Sequence, residues 1–170
     1  DKKDVNILLA RVVEFFSDKE VKIIIEEKAA LELGYPHLAV ESLLQKDVDL
    51  VLTLGGDGTL LNACRVLAKK NIPVCGINIG RLGFLADIEL AEIESKLQKI
   101  IDGKYKIEER LMLDAIVKRN GAMTYVGAAI NDVVVTKGGF SRMIRLGLSI
   151  DHSILANYQA DGVIVSTSTG

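Results

Sequence analysis

Asp49-Leu50-Val51-Leu52-Thr53-Leu54-Gly55-Gly56-Asp57-Gly58-Thr59 is the stretch that decides the fold. Its first six residues form a near-continuous apolar run, the pattern of a strand covered on both faces in a parallel sheet. A helical pattern over 59–69 and a second buried strand over 73–77 follow. The alternation is β-α-β, and it places the three glycines at the carboxyl end of a strand and the amino end of a helix.

Upstream, Val5, Leu8, Leu9, Val12, Val13 and Phe16 recur at three- and four-residue intervals, which predicts a helix packed on one face. A short β-branched strand is expected over 21–25 and a weak helix over 37–45. Downstream, Leu90, Ile93, Leu97, Ile100 and Ile101 form another helical stripe, stopped by Asp102-Gly103. Beyond it the pattern turns to strands, at 112–118, 123–130, 133–136, 143–150 and 154–158, with a last strand running into a Ser/Thr loop over 163–170. Asn120-Gly121 predicts a two-residue hairpin turn, since both residues tolerate positive φ. The expected architecture is an α/β N-terminal domain (1–104) with a parallel sheet and the Gly-Gly-Asp-Gly loop, followed by a β-rich C-terminal domain (105–170). A helix opens the chain where such a sheet usually opens with a strand, and a loop closes it. Both ends are therefore expected to be incomplete.

The bulk numbers narrow the function. With 170 residues and 49% hydrophobic side chains, the chain has ample apolar surface for a packed core. Its 21 basic and 23 acidic residues give a net charge of −2, so no global field draws it to nucleic acid or to an anionic membrane. An anionic substrate must be held by local groups. No apolar run reaches the ~18 residues of a membrane span and no signal segment is present, so the expected location is cytoplasmic. Cys64 and Cys75 sit in apolar runs without metal-ligand or redox spacing and read as small buried hydrophobes.

A glycine loop entering a helix lets backbone N–H groups approach an anion, and the helix dipole favours phosphate there. A carboxylate in such a loop repels phosphate, so Asp57 needs a reason. It either accepts a proton from an attacking hydroxyl or helps hold Mg²⁺ against a polyphosphate. The bland alternative makes it a turn or cap residue, with Gly55, Gly56 and Gly58 serving only tight geometry. Asn131-Asp132 interrupts an apolar strand, which reads either as a ligand-binding pair or as a bulge or turn. Asn78 either caps a turn or touches a ligand; Phe84 is either core or contact; Asp161 before Gly162 is either a ligand residue or a turn. Arg81, Lys137, Arg142 and Arg145 are solvated charges or phosphate partners. His37 and His152 lack metal-site partners, and no cluster has dedicated metal-ligand spacing.

Four ordered segments carry a resemblance. Gly-Gly-Asp-Gly-Thr (55–59) resembles the phosphate-binding motif of a kinase superfamily that includes NAD kinases, diacylglycerol and sphingosine kinases and, more distantly, phosphofructokinases. Gly76-Ile77-Asn78-Ile79-Gly80-Arg81-Leu82-Gly83-Phe84-Leu85, Asn131-Asp132, and the closing Asp161-Gly162-Val163-Ile164-Val165-Ser166-Thr167-Ser168-Thr169-Gly170 are similar to segments of the NAD kinases in particular, with Ser168 where that family usually has proline. The resemblance covers about 50–170. It implies phosphoryl transfer from ATP, or inorganic polyphosphate, to the 2′-hydroxyl of the adenosine ribose of NAD, with Mg²⁺ arriving on the ATP. It implies that Asp57 is the proton acceptor and that Gly55, Gly56, Gly58 and Thr59 form the phosphate loop. Asn131 and Asp132 would bind the nicotinamide-half ribose, Phe84 the adenine, Asp161 a ribose or the nicotinamide amide, with Gly58, Asn78 and Arg142 beside the nucleotide. A homo-oligomer, dimer or tetramer, is implied as well. The alternatives are a lipid kinase of the same superfamily and a non-catalytic NAD(P)-binding module.

Overall fold

Helix α1 (Lys2–Phe16) turns Leu8, Val12 and Phe16 inward, as the apolar stripe predicts. These side chains meet Ile77, Ile88, Ile93 and Leu97 in the principal core cluster. The computed structural model describes residues 2–79, 83, 85–86, 88–139 and 141–170. It resolves into two units, Asp1–Glu108 and Glu109–Gly170.

Two expectations for the segment after α1 are corrected. The 21–25 run contributes only its last residue to a strand, β1 (Ile25–Glu26), and the 37–45 helix does not form. The helix lies earlier, α2 (Glu27–Leu33), in a stretch whose polarity masked good helix formers such as Ala29, Ala30 and Leu31. Gly34, with φ of 84°, ends it in the left-handed conformation. Pro36–Leu38 and Leu43–Gln45 are single 3₁₀ turns flanking β2 (Ala39–Val40), which pairs in parallel with β1. Ser42 Oγ accepts from Leu44 N at 3.2 Å and so caps a turn too short to continue.

The β-α-β unit forms where the decisive stretch puts it. Strand β3 (Val51–Gly55) runs parallel to β4 (Val74–Asn78), with Gly55 opposite Asn78 at their carboxyl ends. Helix α3 (Asp57–Leu67) connects them and buries Leu60 and Leu67. A short parallel bridge sets Ile88 beside Ile77, and α4 (Ile93–Ile101) closes the unit with Ile93 and Leu97 in the core. Arg11 of α1 clasps α4, donating through Nη2 to Glu94 Oε1 at 2.6 Å and through Nη1 to the carbonyl of Leu90 at 3.4 Å. Cys75 packs beside the core, but both cysteines are half-buried, short of the full burial expected.

The second unit consists of antiparallel pairs. Strands β5 (Leu113–Arg119) and β6 (Ala122–Ala129) meet through Asn120-Gly121, at φ of 50° and 80°, the hairpin turn the dipeptide predicts. Strand β7 (Asp132–Thr136) pairs with β10 (Gly162–Ser166), and β8 (Ile144–Ile150) with β9 (Ser153–Ala160). Asp151 and His152, at φ of 47° and 66°, make the β8–β9 turn. Among the described residues no helix is long and apolar enough to cross a membrane.

Candidate active site

The strand-to-helix junction at Gly55–Gly58 is built as the glycines suggest. Gly56 is the extended residue before α3, its carbonyl accepting from Thr59 N at 3.0 Å, and Gly56, Gly58 and Thr59 are exposed. The first N–H groups of a helix lack intrahelical partners and carry its positive end, so this turn presents donors to an anion. Gly55 is glycine because a Cβ there would meet the Thr59 side chain.

Asp57 is the first residue of α3 and is half-buried. Its Oδ1 accepts from the backbone N–H of Leu85 at 3.1 Å and of Ala86 at 3.3 Å. Two donors on one oxygen hold the carboxylate in one orientation, a stronger constraint than a solvated turn residue has. Gly83 lies against the same carboxylate, and a Cβ built on it would stand 2.5 Å from Asp57 Cγ. Sequence reasoning included Gly83 in a motif but gave it no role. No periodicity or composition signal reveals a close approach between positions 26 residues apart. Asn78 is buried, 4% exposed, where β4 ends beside Gly55. Phe84, expected at the adenine, and Arg81 lie outside the described residues.

In the second unit, Asn131 sits in the bend between β6 and β7, and Asp132 opens β7 opposite Ser166. The pair is thus a corner between strands, with Asp132 exposed. The Ser/Thr tail folds onto this corner. Thr167, 8% exposed, donates its hydroxyl to the Ile130 carbonyl and its N–H to the Asn131 carbonyl at 2.8 Å, and its Oγ1 accepts from Thr169 N at 3.0 Å. Gly170 closes on the corner so tightly that a Cβ would be 2.6 Å from the Asn131 oxygen. Asn131 Oδ1 is buried and has no hydrogen-bond partner among the described residues. A buried acceptor of this kind is costly unless a ligand or water donates to it, which marks Asn131 as a binding candidate. Thr167 was given no role of its own because its hydroxyl works on backbone, which a Ser/Thr-rich loop does not advertise.

Asp161 lies between β9 and β10, its side chain 74% exposed. Lys137 Nζ pairs with its Oδ1 at 2.8 Å, and Lys137 N donates to its carbonyl at 2.9 Å. Lys137 is therefore an ion-pair partner as well as a surface charge. Arg142 is exposed in the bend leading to β8.

This ordered set, a glycine loop at a helix start, a buttressed Asn-Asp corner and a Ser/Thr tail, coincides with a known family. Residues 2–105 match the model of the ATP-NAD kinase N-terminal domain, and residues 130–170 that of the ATP-NAD kinase C-terminal domain. The chain belongs to the NAD kinase family. The NAD kinase of Moorella thermoacetica is 45% identical over 160 residues, covering 94% of this chain and 51% of the relative. That of Carboxydothermus hydrogenoformans is 42% identical over 170 residues, covering 100% of this chain and 61% of the relative. Yeast NADH kinase, solved with NADH, superposes with a TM-score of 0.86 at 25% identity, over 98% of this chain and 54% of that one. The NAD kinase of Archaeoglobus fulgidus, solved with ATP, shares the fold at a TM-score of 0.67 and 24% identity, over 95% and 57%. The chain thus spans 51% and 61% of the two bacterial NAD kinases.

Proposed function

We propose that the chain is the part of an ATP-dependent NAD kinase that carries its catalytic carboxylate. The observation behind this reading is the Asp57 carboxylate at the mouth of the glycine loop, oriented by the N–H groups of Leu85 and Ala86. The ATP γ-phosphoryl group passes to the 2′-oxygen of the adenosine ribose of NAD. One P–O bond forms to the 2′-oxygen, the bond to the β-phosphate oxygen breaks, and ADP leaves. The proton of the 2′-hydroxyl goes to the Asp57 carboxylate, general-base help of about 10²-fold or more. The backbone of Gly55–Gly58 and the start of α3 hold the phosphates, so positioning and charge complementarity supply most of the remaining acceleration.

On the nucleotide side, Asn131 Oδ1 is an acceptor awaiting a donor, and a ribose hydroxyl of NAD supplies one. Asp132, Asp161 and Arg142 are the further polar contacts of this reading, with Phe84 at the adenine. Magnesium would arrive as the metal of ATP, since Mg²⁺ binds readily through phosphate oxygens, water and one carboxylate. Asp57 is the carboxylate of the loop that would share in holding it, and the ion would neutralise triphosphate charge. A cytoplasmic homo-oligomer is part of the same proposal. The oligomer draws support from the exposed Leu111, Met123, Ile154 and Ile164 of the second unit, apolar side chains that a partner would cover.

The family match favours NAD over a lipid as acceptor. The test is NADP formation from NAD and Mg-ATP, read with an NADP-specific dehydrogenase. Accumulating NADP supports the proposal; bound NAD without turnover would favour a nucleotide-binding module.

A further inference from the structure

We propose that Gly83 is a positioning residue for Asp57, its missing side chain setting the direction of the carboxylate; this rests on the reading of Asp57 as proton acceptor. Space calls for glycine at position 83. A Cβ on Gly83 would stand 2.5 Å from both Cγ and Oδ2 of Asp57, well inside van der Waals contact.

Among the described residues, the side chain of Asp57 is what gives way. Ala86 and Ile88 are held on β4: Ile88 N donates to the Gly76 carbonyl at 3.1 Å, Asn78 N to the Ile88 carbonyl at 2.8 Å, and Ala86 Cα lies 3.1 Å from where a Cβ on Gly76 would be. Ala86 and Ile88 are themselves buried. Ala86 and Ile88 therefore cannot withdraw without breaking these hydrogen bonds and opening the core. Asp57 is fixed at its backbone end by the first turn of α3. A methyl group at position 83 must turn the carboxylate, and turning it breaks the bonds from Leu85 N and Ala86 N. Gly83 and these two N–H groups together form a seat for one carboxylate.

The seat makes separate predictions for chemistry and for structure. Gly83→Ala lowers kcat about tenfold or more while KM for NAD stays within about twofold, since a misdirected base costs rate and not binding. Amide exchange at Leu85 and Ala86 speeds up about tenfold, because their charged acceptor has moved. Asp57→Ala removes the carboxylate and speeds the same amides, while in the Asp57→Ala/Gly83→Ala double variant the second change adds nothing. Wild-type-like kcat and amide protection in Gly83→Ala would overturn the proposal. So would equal rises in KM and falls in kcat, or an equal effect of Gly83→Ala in the Asp57→Ala background. If Gly83→Ala alone does not fold, a folded double variant supports the seat and an unfolded one overturns it. Amide exchange reads the seat even if the chain makes no NADP, so failure of the activity and failure of this inference are distinguishable.

Discussion

Lys137 and Asp161 are joined twice, by the Lys137 N–H to the Asp161 carbonyl at 2.9 Å and by Nζ to Oδ1 at 2.8 Å. The backbone bond sets the corner where β10 begins, and Gly162 follows because a Cβ there would run into the Val135 carbonyl. The ion pair then directs an otherwise exposed carboxylate. Lys137→Met removes the charge and keeps the stem. Exposed pairs contribute on the order of 0.5–1 kcal/mol, so stability should hardly move while KM for NAD rises about threefold. Steady-state kinetics beside a thermal melt separates the two effects, and a large drop in Tm with unchanged KM would count against a role for Asp161 in binding.

Thr167 is the peg of the Asn131 corner, donating to the Ile130 carbonyl and accepting from Thr169 N. Thr167→Val keeps the shape and removes both bonds, leaving the buried Ile130 carbonyl and the half-buried Thr169 N–H without this partner at a cost of about 1–3 kcal/mol. Thr167→Ser should restore most of that. Urea unfolding of the two variants, followed by fluorescence of Tyr125 and Tyr158 in the second unit, checks the difference.

Leu97 of α4 is fully buried in the core that backs β4. Leu97→Ala should destabilise the first unit by about 2–5 kcal/mol through lost burial and a residual cavity. Circular dichroism melts of the variant would show an early transition; a shift below about 1 kcal/mol would mean that the site neighbours collapse into the space.

The Arg11–Glu94 clasp gives a pH signature. Hydrogen bonds from the Arg11 guanidinium, then a backbone hydrogen bond, hold the Glu94 carboxyl below its ordinary 4.5. A carboxylate whose folded pKa lies below its unfolded one contributes stability above the unfolded value and loses it as pH falls through the folded value. The Tm deficit of Glu94→Gln should therefore be present at neutral pH, shrink below about 4.5 and vanish in stronger acid. A deficit independent of pH would mean that packing, not charge, joins α1 to α4.

The β-α-β unit was legible because Leu50 to Leu54 leave one choice of period and Gly55–Gly58 mark one place to turn. The Asn120-Gly121 hairpin was legible from local turn chemistry alone. Helix α2 was not, since Glu27, Lys28 and Glu32 hid a helix that buries little beyond Ala30. The break between strands at 150 and 154 placed the β8–β9 turn, but not its geometry, because Asp151 and His152 adopt positive φ without glycine. At the site, residue identities were readable and their alliances were not. Asp57 stood out as a carboxylate in a phosphate loop, but its pairing with backbone N–H groups of Leu85 and Ala86 exists only once β4 and the following segment lie side by side. Thr167 on Ile130 and Lys137 on Asp161 depend in the same way on strands distant in sequence.

The most direct test of the central claim compares the chain with its Asp57→Asn variant, measuring NADP formation from NAD and Mg-ATP together with NAD binding by calorimetry. Asn keeps an oxygen for the N–H groups of Leu85 and Ala86 but accepts no proton, so turnover should fall about 10²-fold or more with NAD affinity retained. Undiminished turnover would contradict the assignment of Asp57 as the proton acceptor, and binding lost along with turnover would make Asp57 a residue that shapes the site instead.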